Sequence, residues 1–276
     1  KEQAEKAYGL PVLGELPKGS IDRRHAGALV VRDDPASAPA EAFRMLQTSL
    51  VLGAFPNSYP GPQAVLFSSS GRLEGKESVI ANLAASFSEA GTSVVILAAD
   101  SWDASLPALV SPGAGEARGA HFAAEREAPE AASATSIEGV SIMMNGHRPY
   151  VRDSQLPSHE NLVASARQLG EVVLIDTPPV LLTHDAGRLS PSVDAVVLLC
   201  DLGHVTAADA GLASERLRSV GAPLRGVVLV PGKGWLERIR DSKNPRPPAH
   251  AAASGRPPLP SSPAGITDVP RPAESV

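Results

Sequence analysis

Residues 68–80 read SSSGRLEGKESVI, and the pair Gly75-Lys76 is the part that could do chemistry. A strand ending in a small-residue turn can aim backbone N–H groups at a phosphate. The helix that follows adds its positive end, a lysine reaches the outer phosphates, and a Ser or Thr holds Mg²⁺. The strict spacing G-x-x-x-x-G-K-[ST] is broken twice, because Ser70 takes the first glycine position and Glu77 takes the hydroxyl position. Ser78 lies about 100° further round a helix and is no simple substitute. The candidate phosphate-binding set is therefore Ser70, Gly71, Glu74, Gly75, Lys76, Glu77 and Ser78. A plain lysine solvated at a helix start is the alternative. In VVLIDTPP, four apolar residues deliver Asp176 to the carboxyl end of a strand, where open α/β sheets bind ligands. There it would hold a metal or its water; the alternative is a turn cap before Pro178.

Other chemistries find less support. Seven histidines show no paired metal-ligand spacing. His184 and Asp185 either line the same cleft or cap a turn. There is no Gly-x-Ser-x-Gly elbow, and Cys200, the one cysteine, sits in the apolar run DAVVLLCDL as core filler. A net charge of −5 provides no cationic field for nucleic acid. The basic stretch GKGWLERIRDSK, 232–243, reads as a short final helix with a solvated face, or as a membrane-surface contact.

The elements that must position these residues alternate. AVLFSS, SVVILAAD, GVSIMMNG, EVVLIDTPP, DAVVLLCDL and LRGVVLV read as strands. Helical spacing runs through Ala40, Phe43, Met45, Leu46 and Leu50, and again through Val79, Ile80, Leu83, Ala84 and Phe87 up to a stop at Gly91. TAADAGLASERLRSVG is a further helix. Strands alternating with helices predict a doubly wound, mostly parallel α/β sheet. Residues 1–35 form an N-terminal segment and 36–242 the main domain, with an irregular, flexible insertion over about 112–136. Residues 243–276 are Pro-rich with few large apolar groups, the composition of a disordered tail. No apolar run approaches the roughly 18 residues that cross a bilayer.

Six stretches carry a resemblance: PVLGELP (11–17), AEAFRMLQTSL (40–50), EGKESVIANLAASFSEAGTSVVIL (74–97), IDTPPVLLTHDA (175–186), VDAVVLLCDLGHVT (193–206) and GAPLRGVVL (221–229). Together they resemble the bacterial tyrosine kinases, cytoplasmic P-loop domains attached to or paired with membrane polysaccharide co-polymerases. The resemblance implies a P-loop NTPase fold of the MinD/ParA type, ATP and Mg²⁺ as ligands, and a place on the cytoplasmic face of the bacterial inner membrane. It implies homo-oligomerisation through Glu41 and Arg44, and a transmembrane co-polymerase partner reached through the N-terminal side. It makes Lys76 the phosphate lysine, Asp176 the acid near Mg²⁺ together with Glu77, and Asp100 the second catalytic acid. The departures fall at the chemistry. Arg72 and Leu73 stand where the family has Pro and Gly, Ala98 replaces the first acid of its Asp-x-Asp pattern, and Gln47 replaces the last arginine of its E-x-x-R-x-x-R pattern. No tyrosine lies beyond Tyr150, so the family's tyrosine-rich tail is missing. The expected protein is a degenerate member, a pseudokinase-like scaffold in exopolysaccharide or capsule synthesis. An active tyrosine autokinase and a ParA/MinD-like positioning ATPase are the alternatives.

Overall fold

The structure, a computed structural model, describes residues 1–18, 20–21, 29–55, 61–73, 75–100, 105–111, 132–144 and 159–231. They fall in one compact unit, Lys1–Trp235; a second unit, Leu236–Val276, lies outside them, as do the Pro-rich tail and the basic stretch before it.

At the centre is β2, Gln63–Ser69, whose seven residues are all buried. Val65 and Phe67 turn to one apolar cluster, Ala64 and Leu66 to the other, as a strand covered on both faces requires. Its parallel neighbours are β6, Val172–Asp176, and β7, Ala195–Asp201. Beyond β6 come β3, Val94–Ala98, and β5, Val140–Met144. Beyond β7 comes β8, Leu224–Val230. All six strands read in the sequence are present, and the sheet is mostly parallel.

Two further strands close the edges in the order β1-β8-β7-β2-β6-β3-β5-β4. Four-residue β1, Val12–Glu15, runs parallel to β8. It escapes pattern reading because a glycine interrupts it and prolines flank it. The other, β4, Ala132–Ala134, pairs antiparallel with β5. It lies in the span expected to be an irregular insertion, whose residues 112–131 are outside the described ones. Gly226 is what allows β1 to dock. A Cβ there would lie 2.8 Å from both Leu13 Cδ1 and the Pro11 carbonyl oxygen.

Helices cover both faces. On one lie α2 (Val30–Asp33), α3 (Ala38–Gly53), α4 (Lys76–Glu89) and α5 (Ser105–Val110). Ser37 caps α3 by accepting the Ala40 N–H, and α3 buries Ala40, Phe43, Leu46 and Leu50. Met45, placed on the same stripe by spacing, instead faces out, 64% exposed. The sequence reads α4 as amphipathic, yet every residue from Lys76 to Phe87 is buried. Packed against α2, α3 and α5, it accommodates this with Ser78, Ala81, Asn82, Ala85 and Ser86 on the side away from its large apolar residues. Asn82 is satisfied by accepting the Val31 N–H and donating to the Ser78 carbonyl.

On the other face lie α1 (Glu2–Tyr8), α6 (His159–Arg167), α7 (Asp185–Leu189) and α8 (Ala207–Ser219). Arg167 of α6 donates to the Pro62 carbonyl and to Asp194, which also accepts the Ala64 N–H, bracing the amino ends of β2 and β7. No described helix is long and apolar enough to cross a membrane.

Candidate functional site

The carboxyl ends of β2, β3 and β6 meet at one place. In the sheet register Asp176 lies between Phe67 on one side and Ala98 on the other. The loop after β2 then turns into α4 through Gly75, in the left-handed conformation at φ 89°. A Cβ at that position would also collide with Ile21 Cγ2, so glycine is required for two reasons. Leu73, where the resemblance expects glycine, is buried in the apolar cluster on the α4 face.

Lys76 opens α4, and its side chain is 4% exposed. Its Nζ lies 2.8 Å from Asp176 Oδ1 and 3.0 Å from Asp100 Oδ2, and it donates to the Thr177 carbonyl at 2.6 Å. The contacts to Asp100 and Thr177 are hydrogen bonds, and that to Asp176 is an ion pair. Burial alone would depress the Lys76 pKa; Asp176, Asp100 and Glu77 overcome it and hold the group above the ordinary lysine value. Asp100, two residues past β3, and Asp176 are themselves buried. Lys76 and Asp176 are thus joined in one buried ion network, which neither the solvated-lysine nor the turn-cap alternative anticipates.

The remaining candidates fall as follows. Glu77 and Ser78 are buried in the first turn of α4, and Ser70 is fully buried with its hydroxyl 2.9 Å from that of Tyr8. Gly71 has open space where a side chain would be. Glu74 lies outside the described residues. Glu41 and Arg44 stand apart on α3. Arg44 donates to both oxygens of Glu89 at 2.7 and 2.9 Å and to Glu41 at 3.2 Å, which puts the cluster about 20 Å along α4 from Lys76. His184 occupies the N-cap position of α7 without a side-chain cap bond. Cys200 is a free, buried thiol raised in pKa by burial, in keeping with core filler.

Sequence reasoning missed Thr177 and Tyr8. Thr177 acts through its carbonyl, while its hydroxyl donates to the Phe67 carbonyl at 2.9 Å and Ser68 Oγ donates to the Pro178 carbonyl at 2.8 Å. These bonds stitch the DTPP loop to the end of β2. The one available signal was the Thr-Pro-Pro run, which favours an extended backbone.

Among the described residues no group of three or more His, Cys, Asp or Glu is placed to hold a metal. Magnesium needs less, because it is commonly held by one or two carboxylates plus phosphate and water. Asp100, Asp176 and Glu77 are buried acids around Lys76, hard oxygen donors of the kind Mg²⁺ takes. The donor set fits Mg²⁺ with a phosphate ligand.

A central parallel sheet, a Gly-Lys turn into a buried helix, and a strand-end aspartate on that lysine define the P-loop NTPase fold. No protein-family model matches the chain. Tyrosine-protein kinase Wzc of Salmonella typhi is 25% identical over 243 residues, covering 82% of this chain and 33% of that protein. A putative tyrosine-protein kinase in the cps region of Klebsiella pneumoniae is 23% identical over 230 residues, covering 80% and 31%. The chain thus spans about a third of the length of these relatives. Among solved structures, the BceF tyrosine kinase domain superposes with a TM-score of 0.67 at 22% identity, over 84% of this chain and 97% of that one. The kinase domain of the Escherichia coli tyrosine kinase ETK gives 0.66 at 23%, over 83% and 93%. The homologues of this chain are bacterial tyrosine-protein kinases, and its structural neighbours are their kinase domains.

Proposed function

We propose that this chain is a tyrosine-kinase-like P-loop domain that binds Mg-nucleotide weakly and regulates exopolysaccharide or capsule assembly as a conformational scaffold, with phosphoryl transfer impaired. The observation that carries it is the buried Lys76–Asp100–Asp176 network at the mouth of a glycine turn. The network keeps the phosphate-binding frame, while Glu77 stands in place of the metal-binding hydroxyl and Ala98 beside Asp176 in place of an acid. Lys76 would hold the outer phosphates, Asp176 and Glu77 the magnesium, and Asp100 would orient Lys76. Magnesium would supply charge neutralisation of the phosphates. The polysaccharide role, self-association and a membrane co-polymerase partner on the cytoplasmic face come from the resemblance. Exposed Met45 on α3, beside Glu41 and Arg44, and exposed Leu52 further along the same helix support a surface for a second copy.

The retained acid–lysine network also favours a second reading, an active tyrosine autokinase. Calorimetry with Mg-ATP, Mg-ADP and Mg-adenosine, beside Lys76→Met, separates the two when phosphotyrosine is assayed in parallel. The expected result is phosphate-dependent binding with a Kd no tighter than about 0.1 mM, lost in Lys76→Met, without phosphotyrosine. Phosphotyrosine that vanishes in Lys76→Met establishes the autokinase instead. Absence of binding at millimolar nucleotide overturns the phosphate site, and because it is read on the unmutated chain it does not depend on how the variant folds.

A further inference from the structure

Tyr8 belongs to neither the loop nor the acidic network, yet it reaches the loop from behind. It is the last residue of α1, 1% exposed, with its ring in the apolar cluster on the α1 face of the sheet. The helix carrying it is held in place on several sides. It terminates at Gly9 in the left-handed conformation, and Glu5 accepts the Val12 N–H at 3.2 Å. Arg218 of α8 donates to the Tyr8 and Gly9 carbonyls, both at 3.0 Å. The phenol crosses to Ser70, the first residue after β2, and the two hydroxyls share a 2.9 Å hydrogen bond between side chains 62 residues apart. Ser70 is fully buried, and its carbonyl accepts the Leu181 N–H at 3.2 Å, so the bond also touches the DTPP loop.

A phenylalanine at position 8 would fill the same apolar space. The hydroxyl is the informative atom, because a buried phenol is retained only where it is satisfied, and its partner would be left unpaired without it. Burial, ahead of any other influence, raises the Tyr8 pKa, so the group stays a neutral phenol at physiological pH.

We propose that Tyr8 is a positioning residue for the phosphate loop. Its hydroxyl fixes Ser70 where the loop leaves β2, and so links the docking of α1 to the start of the loop at residues 70–73. The nucleotide consequence of this link rests on the phosphate-site reading; the link itself does not. Because such coupling is reciprocal, a ligand that tightens the loop must also tighten α1 on α8 by the same factor.

The test uses the full chain with Tyr8→Phe, Ser70→Ala and the double variant, and reads amide hydrogen exchange without nucleotide. Losing the Tyr8–Ser70 bond should speed exchange of the loop amides around residues 70–78 by about tenfold in each single variant; Tyr8→Phe also gives up the phenol's hydrogen bond with Cys200, whose effect is read at the end of β7. The double variant should go no further, and peptides from β5 should be unchanged. Loop exchange equal to wild type in Tyr8→Phe overturns the proposal, as does a change confined to α1 and α8, which is what a merely structural tyrosine would give. Additive effects in the double variant overturn it too, since they would show two independent roles. If Tyr8→Phe does not fold, Ser70→Ala reports the same bond from the other side. A parallel Mg-ADP titration should show weaker binding by a similar factor in each single variant. If wild type binds no Mg-ADP, the phosphate-site reading falls, while the exchange result still decides the role of Tyr8.

Discussion

Lys76 Nζ donates to the Thr177 carbonyl and to Asp100 and pairs ionically with Asp176, so a phosphate oxygen must compete with partners already in place. The same network makes the lysine structural. Lys76→Met would remove the cation that pairs with two buried carboxylates, a loss of about 3–5 kcal/mol for breaking a buried ionic network. Urea unfolding at pH 7 should show that loss, and a loss no larger than that of an ordinary surface substitution would mean that the network contributes little to stability. Lys76 and Asp176 were legible in the sequence because each sits at a strand or helix end marked by its neighbours. Thr177 and Tyr8 were not. One contributes a backbone carbonyl, which every residue has, and the other contacts a serine 62 positions away.

Between α3 and α4 the joint is polar as well as apolar. Glu89 sits between the two donor positions of Arg44, and this pairing outweighs the opposing effect of its slight burial and holds its carboxyl below the usual range. A group whose folded pKa is depressed contributes stability that is present above its unfolded value and lost as pH falls through the folded one. Both side chains are substantially exposed, so solvent screening keeps the contribution small. Glu89→Gln should therefore cost less than about 1 kcal/mol at pH 7. The difference from wild type should fade as pH drops below the ordinary Glu range near 4, a convergence that parallel denaturation curves would detect. Strands read well from the sequence at this scale because the inner ones are continuous β-branched runs covered on both faces. The short elements α1, β1, α5 and α7 did not, since four to seven residues carry too little period to stand out from a loop. The burial of α4 on all sides was hidden for another reason: small polar residues on its outer face read as solvent-facing until α2, α3 and α5 are seen to cover them.

Across the whole molecule, the overall α/β class followed from alternation alone, whereas the edges of the sheet depended on distant partners. Val12 pairs with Val227, so the sheet is finished on one side by a strand from the start of the chain. Gly226→Ala tests that edge. The added methyl meets the Leu13 side chain and the Pro11 carbonyl oxygen, and overpacking of this kind costs about 1–3 kcal/mol. Leu13→Ala should recover part of it, but not the part due to the Pro11 backbone; full recovery would place the whole conflict in the side chain. The β1–β8 pairing also imposes an order in time. Closing a loop of some 215 residues is entropically dear, so β1 should dock after the inner strands have met. The Gly226→Ala penalty should then appear mainly as faster unfolding, with the refolding limb of the chevron almost unchanged. On the ribosome, the residues of β1 must wait for β8 to emerge, on the order of 10–40 s at ordinary synthesis rates. For that interval the first strand of the chain is an unpaired edge, open to whatever else can hold it.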